Sequence, residues 1–217
     1  MLHVQGFTFN PFQENTYLVW DDDRQAVLID PGCYQADERQ VLKDFLSKNK
    51  LTLVKLINTH CHVDHVLGNA WAKREFGLEL GIHPKDEGNL RAVETYAAPW
   101  GFSQYEPAEP DYFLSENELF RWGESGYFEV RFVPGHAPGH VVFWSEADGF
   151  CINGDVLFRG SIGRTDLPGG DHQTLLNAIR EQMFTLPDET KIYCGHGPET
   201  TIGYEKQHNP FVGATAR

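Results

Sequence analysis

A single α/β domain of sheets covered by helices is the fold class that three observations predict. The chain has 217 residues of which 41% are hydrophobic, enough for one substantial core. Strand-like and helix-like segments alternate from end to end. No linker, internal repeat or low-complexity stretch interrupts them, so one domain is expected over residues 1–217.

Val4 to Phe9, Thr16 to Trp20 and Gln25 to Ile29 read as short strands, the third ending at the turn Asp30-Pro31-Gly32. Residues 37–49 put Val41, Leu42, Phe45 and Leu46 on one face, the spacing of an amphipathic helix. The apolar run Leu51 to Ile57 is a buried-type strand; a helix over Val66 to Phe76, a strand over Leu78 to Ile82 and a helix over Lys85 to Tyr96 continue the alternation. Residues 97–113 are rich in proline and aromatics, and Trp100, Phe102 and Tyr105 mark them as an ordered insertion: a substrate wall, a subunit contact or plain packing. Tyr127 to Val133, Val141 to Ser145 and Phe150 to Asn153 are strand-like. A helix over Thr174 to Phe184 with Asp171 as its cap, then a strand over Lys191 to Cys194, completes the order.

A formal net charge of −13 argues against a nucleic-acid partner, whose phosphates are met by lysine and arginine. The N-terminus lacks a basic start followed by an apolar stretch, and no apolar run approaches the roughly 20 residues of a membrane helix. A cytoplasmic protein with no membrane partner is the expectation. Cys33, Cys61, Cys151 and Cys194 form no CxxC pair and read as reduced thiols rather than metal ligands or a disulfide framework. Oligomeric state is not legible in the chain.

The chemistry concentrates at Thr59-His60-Cys61-His62-Val63-Asp64-His65, directly after the apolar strand. His60 and His62, two residues apart, point to one side, and Asp64 and His65 follow in the turn toward a helix. One catalytic zinc takes about three protein ligands and keeps a position for water, so one ion cannot use all four, whereas two adjacent ions can. The plain alternative is a polar turn that caps a helix. Three later segments set a polar residue beside glycine past a strand: Pro134-Gly135-His136-Ala137-Pro138-Gly139-His140, Gly154-Asp155 and Gly195-His196-Gly197. Glycine there allows a turn or the close approach of a metal or substrate. His3, His83, His172 and His208 read as structural.

In this order the motifs resemble the metallo-β-lactamase-fold hydrolases over most of the chain. The run Gly154-Asp155-Val156-Leu157-Phe158-Arg159-Gly160-Ser161-Ile162-Gly163-Arg164-Thr165-Asp166 narrows the resemblance to the branch of glyoxalase II and the persulfide dioxygenases. The continuation through Asp171-His172, and Gly195-His196-Gly197-Pro198 to His208-Asn209-Pro210-Phe211, is similar to short bacterial glyoxalase II-like proteins. The resemblance implies a four-layer αββα sandwich binding two divalent metals, zinc first and iron or manganese as alternatives. It puts His60, His62 and His136 on the first metal, Asp64, His65 and His196 on the second, Asp155 between them and His140 behind the ligands.

The implied activity is hydrolysis of a small-molecule thioester of the hydroxyacylglutathione type by a metal-activated hydroxide. Bound divalent cations lower the pKa of water from about 15.7 toward neutrality, Asp64 orients the nucleophile, and the metals take the oxyanion and the thiolate. Arg164 matches the branch residue that meets a glutathione carboxylate, a contact an arginine fork makes bidentately; the plain alternative is a structural salt bridge. Longer glyoxalase II enzymes add a helical domain after the last histidine; only 21 residues follow His196 here, so that domain is not expected. Three other readings use the same residues: a persulfide dioxygenase with one iron on His60, His136 and Asp155, a lactone or ester hydrolase, and a non-catalytic metal-stabilised binding protein.

Overall fold

Strands β1 (His3–Phe9), β2 (Glu14–Trp20) and β3 (Gln25–Ile29) run as an antiparallel meander, with His3 opposite Trp20 and Tyr17 opposite Ile29. The computed structural model describes residues 1–116, 118–214 and 216. After α1 (Ala36–Asn49), β4 (Thr52–Ile57) joins β3 in parallel, and β5 (Leu80–Ile82) and β6 (Tyr112–Phe113) extend the sheet in parallel, giving the order β1-β2-β3-β4-β5-β6. Parallel neighbours need crossover connections, which is where the helices fall. They are α1, the short α2 (Val63–Val66), α3 (Asn69–Phe76) and α4 (Glu87–Tyr96), the last preceded by a 3₁₀ turn at Pro84–Asp86.

A second sheet has the order β14-β13-β10-β9-β8-β7, from β7 (Leu119–Trp122), β8 (Gly126–Phe132), β9 (Val141–Ser145), β10 (Phe150–Gly154), β13 (Lys191–Cys194) and β14 (Thr200–Thr201). Here β10 and β13 pair in parallel, and between them lie a small hairpin, β11 (Leu157–Phe158) with β12 (Ser161–Ile162), and helix α5 (His172–Ala178). Helix α6 (Ile202–His208) follows β14. The chain divides into two compact units, Met1–Leu114 with Arg121–Tyr127, and Ser115–Phe120 with Phe128–Arg217.

Within the first unit one core joins Leu18, Leu28, Leu56 and Ile82 of the sheet to Leu42, Val66, Trp71 and Leu90 of the helices. The alternate strand residues Val19, Val27, Ile29 and Ile57 are also fully buried, so both faces of this sheet are covered. The second unit repeats the design, Val142, Cys151 and Ile192 packing with Leu175, Ile179, Met183 and Ile202. Among the described residues no helix is long and apolar enough to cross a membrane.

The structure differs from the sequence reading at two helices. The helix expected over Val66 to Phe76 is two pieces, because the Gly68 amide donates to the Pro31 carbonyl at 2.7 Å and the chain steps sideways there. The helix expected from Thr174 begins at His172 and widens after Ala178 into a π turn at Ile179–Met183, where the Phe184 amide reaches the Ile179 carbonyl. The Asp171 carboxylate accepts from the Thr174 amide, as its cap position requires.

Candidate metal centre

Strand β4 delivers the motif to a loop whose backbone is held from several directions by buried polar side chains. Cys61 N–H donates to Asp86 at 2.5 Å, Asn10 Nδ2 donates to the Asp64 carbonyl at 3.1 Å, and Asn58 Nδ2 donates to the His65 carbonyl at 3.0 Å. These contacts satisfy backbone groups that a buried loop would otherwise leave orphaned. His60, Asp64 and His65 are themselves buried and His62 is half-buried at the start of α2.

Hydrogen bonds fix which nitrogen each ring presents. The Asp30 carboxylate accepts from the Thr59 hydroxyl at 2.6 Å and from His65 Nδ1 at 3.1 Å. Since the Thr59 hydroxyl spends its proton on Asp30, its oxygen accepts from His60 Nδ1, 3.1 Å away. Both rings therefore carry hydrogen on Nδ1 and offer the Nε2 lone pair, and their centroids are 4.2 Å apart. Asp30, His60 and His65 could hold an ion by proximity alone, their donor atoms lying within 4.8 Å. Asp30 already accepts four hydrogen bonds, including one from Thr59 N and one from Asn58 Nδ2, so we read it as the support of the two histidines. Behind them burial pushes the Glu14 carboxyl well above its ordinary range, and Thr16 donates to it.

In the second unit the same logic recurs. His136 Nδ1 donates to the Arg164 carbonyl at 2.7 Å, which leaves Nε2 facing Asp155 Oδ2 at 3.6 Å. His196 Nε2 lies 3.6 Å from the same oxygen. His65 Nε2 is 3.8 Å from Asp64 Oδ2 in the first unit. These separations are too long for hydrogen bonds and close to the roughly 3.4 Å between two ligands of one tetrahedral ion with bonds of about 2.1 Å. Imidazole nitrogens paired with carboxylate oxygens at that spacing fit divalent cations. His140 is fully buried and its Nε2 accepts from the Asp155 amide at 3.1 Å, so it holds the backbone of Asp155.

A sequence profile of the metallo-beta-lactamase superfamily matches residues 9–196, most of the chain. The chain belongs to that superfamily. Among curated proteins it is similar to the hydroxyacylglutathione hydrolase GloC of Haemophilus influenzae, 37% identical over 215 residues that cover 98% of this chain and 99% of that one. Among solved structures it is similar to the B3 metallo-beta-lactamase BLEG-1, with a TM-score of 0.85 and 33% identity over 97% of this chain and 99% of that one. TTHA1623, crystallised in a di-iron-bound form, also gives 0.85, with 37% identity over 95% and 99% of the two chains. The fold is thus the metallo-β-lactamase fold, and the chain is a metal-dependent hydrolase of that superfamily.

Within the first unit of this metallo-β-lactamase fold, His60, His62, Asp64 and His65 come together; within the second, His136, Asp155 and His196 do, with His140 behind them. Arg164 is placed differently from a waiting anchor. Its Nε and Nη2 both reach the Asp166 carboxylate at 2.8 Å, an ion pair that holds Asp166 down at about 2. Sequence reasoning missed the supporting residues. Asp30 looked like part of a turn, and its buried, positive-φ position (φ 50) shows only in the fold. Gly163 was read for its motif alone, yet a Cβ there would fall 2.0 Å from the Asp155 carbonyl oxygen and 3.0 Å from His136 Nδ1. At Gly135 (φ +122), by contrast, it is the start of α5 and not a metal that needs the space, a Cβ lying 2.3 Å from Leu175 N.

Proposed function

We propose that this hydrolase cleaves a thioester of the hydroxyacylglutathione type at a dinuclear centre. His60, His62 and His136 take one divalent cation, Asp64, His65 and His196 the other, and Asp155 is shared. The observation that carries the metal reading is the tautomer pattern. His60, His65 and His136 each have Nδ1 committed to an oxygen, so each presents Nε2 to an ion. The substrate class rests on the near full-length similarity to a protein named as a hydroxyacylglutathione hydrolase.

Two bound cations supply Lewis acidity for the carbonyl and an acidified water. The protein's share is orientation. Asp64 would orient the nucleophile toward the acyl carbon, and the Asn10 and Asp86 contacts keep the loop from relaxing as charge develops. His140 holds the backbone of Asp155 and so fixes where its carboxylate stands. Arg164 already gives its Nε and Nη2 to Asp166, so a substrate carboxylate there competes with that ion pair. Zinc suits a departing thiolate, and the di-iron form of TTHA1623 supports iron as the alternative. A one-iron dioxygenase on His60, His136 and Asp155 leaves the Asp64–His65 and Asp155–His196 pairs without a purpose.

Turnover of S-D-lactoylglutathione, by protein reconstituted separately with zinc and iron, tests the proposal. Metal-dependent loss of the thioester is expected, and Asp155→Ala loses bound metal together with at least about a hundredfold in kcat. An Asp155→Ala protein that kept both metals and full turnover would sink it.

A further inference from the structure

We infer that Arg159, with the Tyr204 ring as its platform, anchors a carboxylate of the substrate's thiol half. The inference rests on the thioester reading and adds the residue that recognises the leaving group.

Arg159 occupies the two-residue loop between β11 (Leu157–Phe158) and β12 (Ser161–Ile162). Its guanidinium carbon stands 4.7 Å from the centroid of the Tyr204 ring, a cation–π contact that limits the wandering of an otherwise exposed side chain. Among the described residues no carboxylate pairs with it within 4.0 Å. The other arginine of this stretch, Arg164, has its Nε–Nη2 edge paired with Asp166. A substrate carboxylate reaching Arg164 meets a guanidinium already neutralised along its Nε–Nη2 edge by Asp166, whereas at Arg159 no carboxylate among the described residues competes with it. On a chain of net charge −13, an anionic substrate needs such a local cation.

The loop is built to hold that position. Asn153, at the end of β10, donates to the Leu157 carbonyl at 2.8 Å and accepts from the Leu157 amide at 3.2 Å. Buried Glu205 accepts from the Gly160 amide at 3.1 and 3.2 Å, and from Thr200 and Asn209, while Asn209 Nδ2 donates to the Ser161 carbonyl at 2.9 Å. Tyr204, next to Glu205, also packs against the His208 ring, centroids 4.8 Å apart. The hairpin starts two residues after Asp155, and the Phe158 ring lies 6.2 Å from the His196 ring. Arg159 is thus one residue beyond the side chain that borders a proposed metal ligand. The carboxylates of a glutathione thiol lie several bonds from its sulfur, so their anchor belongs beside the metal ligands rather than among them.

Steady-state kinetics on two thioesters with one acyl group test the inference: S-D-lactoylglutathione, which has two carboxylates, and S-D-lactoyl-N-acetylcysteamine, which has none. Arg159→Ala is expected to raise KM for the first about tenfold, leave kcat within about twofold and leave the neutral thioester untouched. Arg159→Lys recovers part of the loss, because charge survives without the fork. Arg164→Ala has the smaller effect. Equal effects of Arg159→Ala on both substrates, or a selective loss with Arg164→Ala alone, overturns the inference. If the native protein cleaves both thioesters with the same KM, the thioester reading stands and this inference fails; if it cleaves neither, both fail.

Discussion

At the scale of single residues, the support behind the ligands is as specific as the ligands. Asp30 sets the tautomers of His65 directly and of His60 through Thr59, so Asp30→Asn is expected to weaken metal affinity about 10–100-fold while the fold persists. Competition with a chromogenic chelator measures this, and unchanged affinity would remove Asp30 from the account. Gly163→Ala must push either Asp155 or His136 away, and at least a tenfold loss of metal-dependent activity is expected, against no loss if the site relaxes around the methyl. The four thiols behave alike. Cys33, Cys61, Cys151 and Cys194 are buried, and burial pushes each thiol up, so at pH 8 the folded protein is inert to a thiol reagent and reacts fully only when unfolded. The ligands themselves were legible in the sequence because their spacing after β4 is local. Asp30, Asn10 and Asp86 were not, because their partners lie far along the chain and only tertiary folding brings them together.

At the scale of elements, strands with strong apolar patterns were legible with sharp ends: Gln25–Ile29, Val141–Ser145 and Lys191–Cys194 stand where the sequence put them. Two-residue strands such as β6, β11, β12 and β14 carry too few positions for a period, and the break between α2 and α3 depends on a contact from Gly68 to Pro31. Helix α6 went unread because its cap, Thr201 accepting from the Tyr204 amide at 3.2 Å, precedes only seven residues. The cap of α5 gives a pH-dependent test. Hydrogen bonds from Thr174 hold the Asp171 carboxyl below 3.8, so its stabilising effect is present above that value and is lost as pH falls through the lowered one. Asp171→Ala is expected to lower Tm by about 2–4 °C at neutral pH and to match the native protein in strong acid. A Tm difference that does not shrink as the pH falls contradicts this.

At the scale of the whole molecule, the candidate donors fall into two groups: four at the end of β4 in the first unit, and three past the strands of the second. The family membership makes the chain a metal-dependent hydrolase, and divalent metal that binds only the folded chain would stabilise it. Chelation is therefore expected to lower Tm, and zinc or iron to restore it. The most direct test of the central claim is the count of metal ions bound per chain, followed during titration of metal-free protein together with thioester turnover. Two equivalents, with turnover complete only when the second is bound, is the predicted result; saturation at one equivalent with full activity, or no binding, would contradict the dinuclear site.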